Sequence, residues 1–403
     1  MPVHYDVAVV GGGTAGAVAA REAARAGART VLIDAHQQAT QPSVCAGLVS
    51  PRTLGELEVS DDVVLRRIRG VFVRGPDETT LHLRSADVKA VVIDRLRVRE
   101  ELFNAAADVG VELLAPARCV SAEPGRLQLQ VDGHHVELAA RVLIGADGVP
   151  STIARSFGLA PPAQLLPAQQ VTMVSRLRAE DEVEVFVGRA VAPGFFAWSV
   201  PAEPGCVRIG VACEPPADPR ALMEHLLRDI GHGDVLSSAS GVIPLEPPPE
   251  TVSDGVLLVG DAAGQVKPIS GGGIYTGARC ARIGGRIAGW AALAGRTTED
   301  VLGEYARRWQ CEIGEEIAVG LRVHRLRGDL RDEQLAILLR IIDDPSLLDI
   351  VAREADIDAP SQLLGAFLAR RELWPRLLPL AGILGGSMGL ADLAARLARP
   401  WHL

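Results

Sequence analysis

Two styles of apolar patterning divide this chain. The runs YDVAVV (5–10), TVLIDA (30–35), RVLIG (141–145) and VLLV (256–259) are short, apolar and rich in β-branched residues. Each ends in glycine or a polar turn, the mark of strands buried on both faces. GGGTAG (11–16) and an alanine-rich segment to about residue 26 separate the first two runs. That order predicts a β-α-β unit of about 30 residues. A polar, turn-rich stretch without clear periodicity follows, HQQATQPSVCAGLVSPRT (36–53). A helix is predicted over 95–109, then a strand at VELLAP (111–116). RLQLQV (126–131) and HVELAA (135–140) alternate about DGHH and predict a hairpin. Between about 168 and 248 the pattern changes to VTMVSRL, EVEVFV, FFAWSV and CVRIGVA, short strands at hairpin spacing, with a helix near 218–230. An antiparallel sheet is expected there. From about 300 onward the periodicity is helical.

The expected fold class is α/β: a Rossmann-like dinucleotide-binding domain, an antiparallel-sheet substrate domain and a helical C-terminal region. The expected boundaries are 1–160 plus 250–300 for the first, which is discontinuous, 161–249 with part of 45–90 for the second, and 301–403 for the third.

Composition narrows the function classes. At 403 residues the chain can bury more than one core, and 48% hydrophobic with 23% charged residues is ordinary for a soluble protein. The net charge of −9 and the lack of a basic cluster argue against nucleic acid as a partner. Positive charge is carried almost wholly by arginine, Lys89 and Lys267 excepted. The six cysteines have neither CxxC spacing nor a histidine cluster, so zinc and iron–sulfur sites are not expected. The N-terminus enters a strand directly, and no apolar run reaches 18 residues. The expectation is a cytoplasmic protein with reduced thiols.

Gly11-x-Gly13-x-x-Gly16 lies between a predicted strand and a helix. One glycine permits the tight turn, one lets a diphosphate approach the backbone, and one lets helix and strand pack closely. The helix N-terminus offers free N–H groups to the phosphates. Asp34, about 20 residues on, closes the second strand where a carboxylate would take a ribose hydroxyl. The bland alternative is a tight turn that binds nothing.

A second glycine-rich site, GDAAGQVKPISGGGI (260–274), decides between cofactors. A nicotinamide dinucleotide would not need it, whereas FAD is long enough to require a second segment. Asp261 suits a ribityl hydroxyl. Gly272 and Gly273 open a helix at Ile274 whose positive end suits the N1–O2 edge of a flavin, which becomes anionic on reduction.

These motifs, with GADGVPSTIAR at 145–155, resemble the flavoprotein monooxygenase-like fold of p-hydroxybenzoate hydroxylase, and within it the geranylgeranyl reductases. The resemblance covers about residues 4–300. CAGLVSPR (45–52) resembles that family's cysteine–glycine segment beside the flavin, and GFFAWSVP (194–201) its aromatic segment lining the substrate cavity. The resemblance implies that Ala15 and Asp34 hold the adenosine half of FAD, with Cys119 near the adenine through its backbone. Arg95 would lie near the phosphates, and Cys45, Ala46 and Gly47 beside the flavin. Asp261, Gly273 and Ile274 would hold the ribityl and ring portion, and Phe196 and Trp198 would face substrate. The chain departs from the family pattern at Asp34 (glutamate is commoner), Ala46 (glycine) and Phe196 (tyrosine), the last removing a ring hydroxyl. Ser151 and Arg155 are read as fixing a turn and a helix start.

The activity so implied is saturation of isolated alkenes in a polyprenyl chain. One carbon takes a hydride from reduced flavin and the other takes a proton. Cys45 is the candidate proton donor, since a thiol carries its proton at neutral pH; flavin-site water is its competitor. The candidate substrates are a lipid precursor, a prenyl diphosphate, a prenyl quinone and a chlorophyll side chain. With no second dinucleotide fingerprint, the electron donor is NAD(P)H bound transiently or a docked ferredoxin. The stretch 374–403 fits a peripheral membrane contact as well as a packed helix; packing is preferred. The rival functions are a flavin hydroxylase and an electron-transfer flavoprotein serving a quinone. A halogenase is disfavoured, because neither lysine stands where that chemistry needs one.

Overall fold

The computed structural model describes residues 3–36, 44–175, 179–231, 233–370 and 373. The stretch 374–403 with its two readings lies outside them.

Five parallel strands form the heart of the first sheet, in the order Val256–Leu258, His134–Gly145, Val3–Val10, Thr30–Ile33 and Glu112–Leu114. The apolar runs of the first four are buried on both faces, as a sheet covered on both sides requires, whereas Glu112–Leu114 is an exposed edge. The expected hairpin turns at Asp132-Gly133, both with positive φ, the conformation a two-residue turn demands. Its second arm continues without a break into the parallel sheet, so one strand, His134–Gly145, serves both patterns.

The second sheet has seven strands. Five come from the middle of the chain, in the order Val235–Leu245, Gln164–Val174, Cys206–Ala212, Ala197–Pro201 and Glu182–Phe186. Gly70–Arg74 then pairs parallel with Glu182–Phe186, and Thr80–Arg84 forms the far edge. A three-stranded sheet of Leu48–Val49, Ala90–Ile93 and Val64–Ile68 lies between. The stretch after residue 36, which showed no periodicity, supplies the first of these strands and the helix Arg52–Leu57. Runs of two to six residues are too short to display a period. Beyond residue 298 the described chain is helical, from Glu299–Trp309 to Pro360–Ala369.

Two helices aim their N-termini at the same end of the parallel sheet, Thr14–Arg25 from Gly13 and Ile274–Ala294 from Gly273. They pack without space for side chains. A Cβ built on Gly285 would lie 2.3 Å from the Ala19 carbonyl oxygen, and one on Gly289 2.8 Å from that of Ala23. Small residues thus fix one helix mouth relative to the other.

Candidate active site

In an open parallel sheet, ligands bind beyond the carboxyl ends of the strands, where the strand order reverses. Here Val3–Val10 is that point, flanked by Thr30–Ile33 and His134–Gly145. The loops leaving these strands, and the loop after Val256–Leu258, converge on a cavity of about 720 Å³. That volume is within the range of cofactor sites.

Three glycines of the first loop are forced by contact. Gly11 has φ +110°, and a Cβ there would stand 2.2 Å from the Ala146 carbonyl oxygen. Cβ atoms on Gly12 and Gly16 would meet Asp34 Oδ2 at 2.1 Å and the Gly11 carbonyl oxygen at 1.8 Å. Gly13 is different, because a Cβ on it would meet nothing within 4 Å. It faces the cavity, and the helix it opens has no side-chain cap. The N–H groups of the first turn are therefore left for a ligand, and a diphosphate fits that need.

Asp34 lines the cavity, and Arg99 donates to its Oδ2 at 2.6 Å. The Asp34 Oδ1 accepts from the His36 backbone at 2.9 Å. Arg99 was not singled out in the sequence. It stands one helical turn after Arg95 on Arg95–Asp108, and four-residue spacing is the signal that puts both on one face. Both arginines line the cavity, as does Cys119, whose thiol burial pushes up to about 12.

At the other end, Asp261 follows the strand Val256–Leu258. It opens onto the cavity yet is walled by protein. That burial raises its carboxyl pKa, and the charge of Arg95 pulls it back down. Gly273 begins the second helix with no side-chain cap, and a Cβ there would lie 2.9 Å from Asp261 Oδ1. Gly273 and Ile274 line the cavity; Gly272 stands behind them over Lys267. Ser151 caps the helix Thr152–Ser156, and Asp147 accepts from Ser151 Oγ at 2.7 Å.

Cys45 also lines the cavity, whereas Ala46 and Gly47 lie outside its lining. Their segment is tied to the seven-stranded sheet. Gln170 donates to the Cys45 carbonyl at 3.2 Å, and Arg208 to that of Ala46 at 2.9 Å. Trp198 donates to Gln170 Oε1 at 3.2 Å. Trp198 therefore reaches Cys45 through one side chain while staying outside the cavity lining. Phe196 also stands outside it, stacked on Phe195 with centroids 4.4 Å apart. Sequence reading missed Gln170 and Arg208, as it missed Val242 and Ile243, which line the cavity from the sheet's edge strand. Strand alternation alone could mark their faces, not their partners.

Behind Phe195, His324 is buried. Arg327 approaches its Nδ1 at 3.1 Å, and the Gln164 amide nitrogen stands 3.1 Å from its Nε2. Burial, with Arg327 and Arg325 adding repulsion, pushes its pKa down to about 4. The unfolded chain binds that proton near pH 6.5. Stability from this group is therefore complete above that pH and is lost as pH falls from 6.5 towards 4, by about 3 kcal/mol in all. A denaturant series across that range is expected to show this loss, and His324→Gln to flatten it.

The chain matches the FAD binding domain family over residues 4–221. It is 30% identical to a digeranylgeranylglycerophospholipid reductase of Methanopyrus kandleri, a match covering 90% of this chain and 96% of that one. Its fold superposes on a geranylgeranyl bacteriochlorophyll reductase-like protein of Thermoplasma acidophilum with a TM-score of 0.83 and 20% identity, covering 95% of this chain and 100% of that one. It superposes on p-nitrophenol 4-monooxygenase of Pseudomonas putida with a TM-score of 0.68 and 16% identity, covering 87% and 97%.

Proposed function

The chain belongs to the geranylgeranyl reductase family of FAD-binding flavoproteins, and we propose that it saturates carbon–carbon double bonds in the geranylgeranyl chains of a lipid precursor. The observation carrying this reading is the end-to-end match to a relative named for reducing digeranylgeranylglycerophospholipids. The monooxygenase likeness, at 16% identity, speaks for the fold alone.

The cavity fits FAD at both ends. The open face of Gly13 and the uncapped helix would receive the diphosphate, and Asp34, held by Arg99, a ribose hydroxyl. Asp261 would accept a ribityl hydroxyl, and the helix mouth at Gly273 would favour negative charge on the ring. Bound FAD, once reduced, supplies the hydride for one alkene carbon. Cys45 Sγ, at the cavity wall, holds the proton for the other. Val242 and Ile243 add apolar wall that suits a prenyl chain and excludes water.

Electrons arrive from NAD(P)H bound in passing or from a docked ferredoxin. No described helix is long and apolar enough to cross a membrane. The lipid is collected by peripheral contact with a bilayer surface.

The test is anaerobic. The FAD-loaded protein is reduced with dithionite and mixed with a geranylgeranylated glycerophospholipid, while flavin absorbance and product mass are followed. Reoxidation without oxygen, with product gaining hydrogen in pairs, is expected. A flavin that stays reduced until oxygen or a quinone is added would instead identify a hydroxylase or an electron carrier.

A further inference from the structure

Lys267 and Asp358 have no part in the roles assigned above. Lys267 shapes the loop that carries the three glycines: its N–H donates to the Gly272 carbonyl at 3.1 Å, and its carbonyl accepts from Gly271 N at 2.8 Å. Its side chain folds beneath that loop. A Cβ on Gly272 would stand 3.1 Å from the Lys267 Cε and 3.5 Å from Nζ. Nζ donates to Asp358 Oδ1 at 2.6 Å, and the two side chains are only 10% and 1% exposed. Asp358 comes from the segment between the helices Pro345–Glu354 and Pro360–Ala369. Arg52, at the start of the helix that follows the Cys45 segment, is 3.5 Å from Asp358 Oδ2 but half exposed and bound chiefly to Asp356 at 2.6 Å.

The loop's own backbone bonds hold its shape, so the ion pair is not needed for that. A buried pair under the glycine mouth has an electrostatic consequence instead. Away from solvent, each charge acts strongly on a redox group bound above it. Charge near a flavin ring tunes its electronics. Together the two charges largely cancel; singly they do not.

We propose that the Lys267–Asp358 pair sets the reduction potential of the FAD bound at this mouth, Lys267 favouring the reduced, anionic ring and Asp358 opposing it. The proposal rests on the FAD site and the placement of the ring at Gly273, and is independent of which alkene is reduced. Both residues are positioning groups, acting on the cofactor through the glycine loop.

The experiment is an anaerobic dye-coupled potential titration of the FAD-loaded protein with no prenyl substrate present. Asp358→Asn leaves the lysine unpaired and is expected to raise the potential. Lys267→Met leaves the carboxylate and is expected to lower it. Each shift corresponds to about tenfold in the ratio of reduced to oxidised flavin, or about 30 mV for a two-electron couple. The double variant Lys267→Met/Asp358→Leu is expected to return close to the parent. A merely structural role would disturb the loop alike in both single variants. Potentials that do not move, or that move in the same direction, overturn the proposal. So does loss of FAD from the single variants with retention in the double variant, which would make the pair a staple for the loop. Because no alkene enters the measurement, failure here leaves the reductase reading standing, and failure of alkene reduction leaves this result standing.

Discussion

Replacing Gly13 with aspartate is expected to give a folded protein whose affinity for FAD falls by about a thousandfold, whereas replacing Gly16 with alanine is expected to damage the fold itself. The two glycines stand three residues apart in one motif, and the structure assigns them opposite reasons. A Cβ on Gly16 would lie 1.8 Å from the Gly11 carbonyl oxygen, and that oxygen is backbone that cannot swing aside. The helix Thr14–Arg25 would have to lift off the strand Val3–Val10, in the middle of the largest core cluster. Overpacking of this kind costs about 1–3 kcal/mol, and more where backbone must move. A total stability of about 5–15 kcal/mol leaves little room for it. At Gly13 a side chain meets nothing within 4 Å, so the apo fold has no reason to change. A carboxylate there would instead project to where the uncapped helix mouth takes a diphosphate. At about 4 Å and an effective dielectric near 20, each pair of like charges repels by about 4 kcal/mol. That is enough to lower FAD affinity by about a thousandfold. Thermal unfolding of the apo proteins and fluorescence titration with FAD separate the two cases. Parent-like FAD binding by Gly13→Asp would remove the diphosphate from this loop.

The contrast bears on what a sequence discloses. GxGxxG marks a loop with a cofactor reason, but it does not say which glycine faces the ligand. The four apolar runs that became the parallel strands were legible because each is buried on both faces and stops at a turn residue. Their parallel pairing brings the loops at Gly11, Asp34, Ala146 and Gly260 to one end of the sheet. The stretch 45–93 was opaque for a physical reason. Its strands are short, mostly half-buried apart from Ala90–Ile93, and divided between two sheets, so neighbouring residues do not share one environment long enough to show a period.

Polar partnerships were the least visible part. Asp34 stood out at the end of a strand, but its partner Arg99 is 65 residues away and looked like any helix arginine. Lys267 and Asp358 are separated by 91 residues. Gln170 lies 125 residues from the Cys45 carbonyl it holds. Each contact exists only because the sheets bring distant segments together, and a hydrogen-bonding side chain carries no local sign of its partner. The resemblance pointed to Trp198 as a residue facing substrate; in the structure it stands outside the cavity lining and is joined to the Cys45 carbonyl through Gln170.

That route leads to the last prediction, which concerns the proton. Alkene saturation is complete only when the second carbon is protonated, and the positive charge that would otherwise build on it makes the proton's arrival rate-governing. Cys45 stands at the cavity wall with its own carbonyl held by Gln170 and the next by Arg208, so its backbone is anchored to the seven-stranded sheet. Cys45→Ala deletes the Sγ–H and leaves both carbonyl anchors in place. Reduction of FAD by dithionite and the affinity for FAD are therefore expected to stay at the parent level. Anaerobic reoxidation by a geranylgeranyl lipid is expected to slow by about a hundredfold to ten-thousandfold, the usual contribution of a positioned general acid. Cys45→Ser, with a much weaker acid in nearly the same volume, is expected to fall close to Cys45→Ala. A packing role would instead be rescued by serine, so the serine variant separates chemistry from space. Stopped-flow traces of the two half-reactions in ordinary and heavy water supply the readout. A parent-like reoxidation rate in Cys45→Ala, with the solvent isotope effect intact, would make water the donor and leave Cys45 as wall.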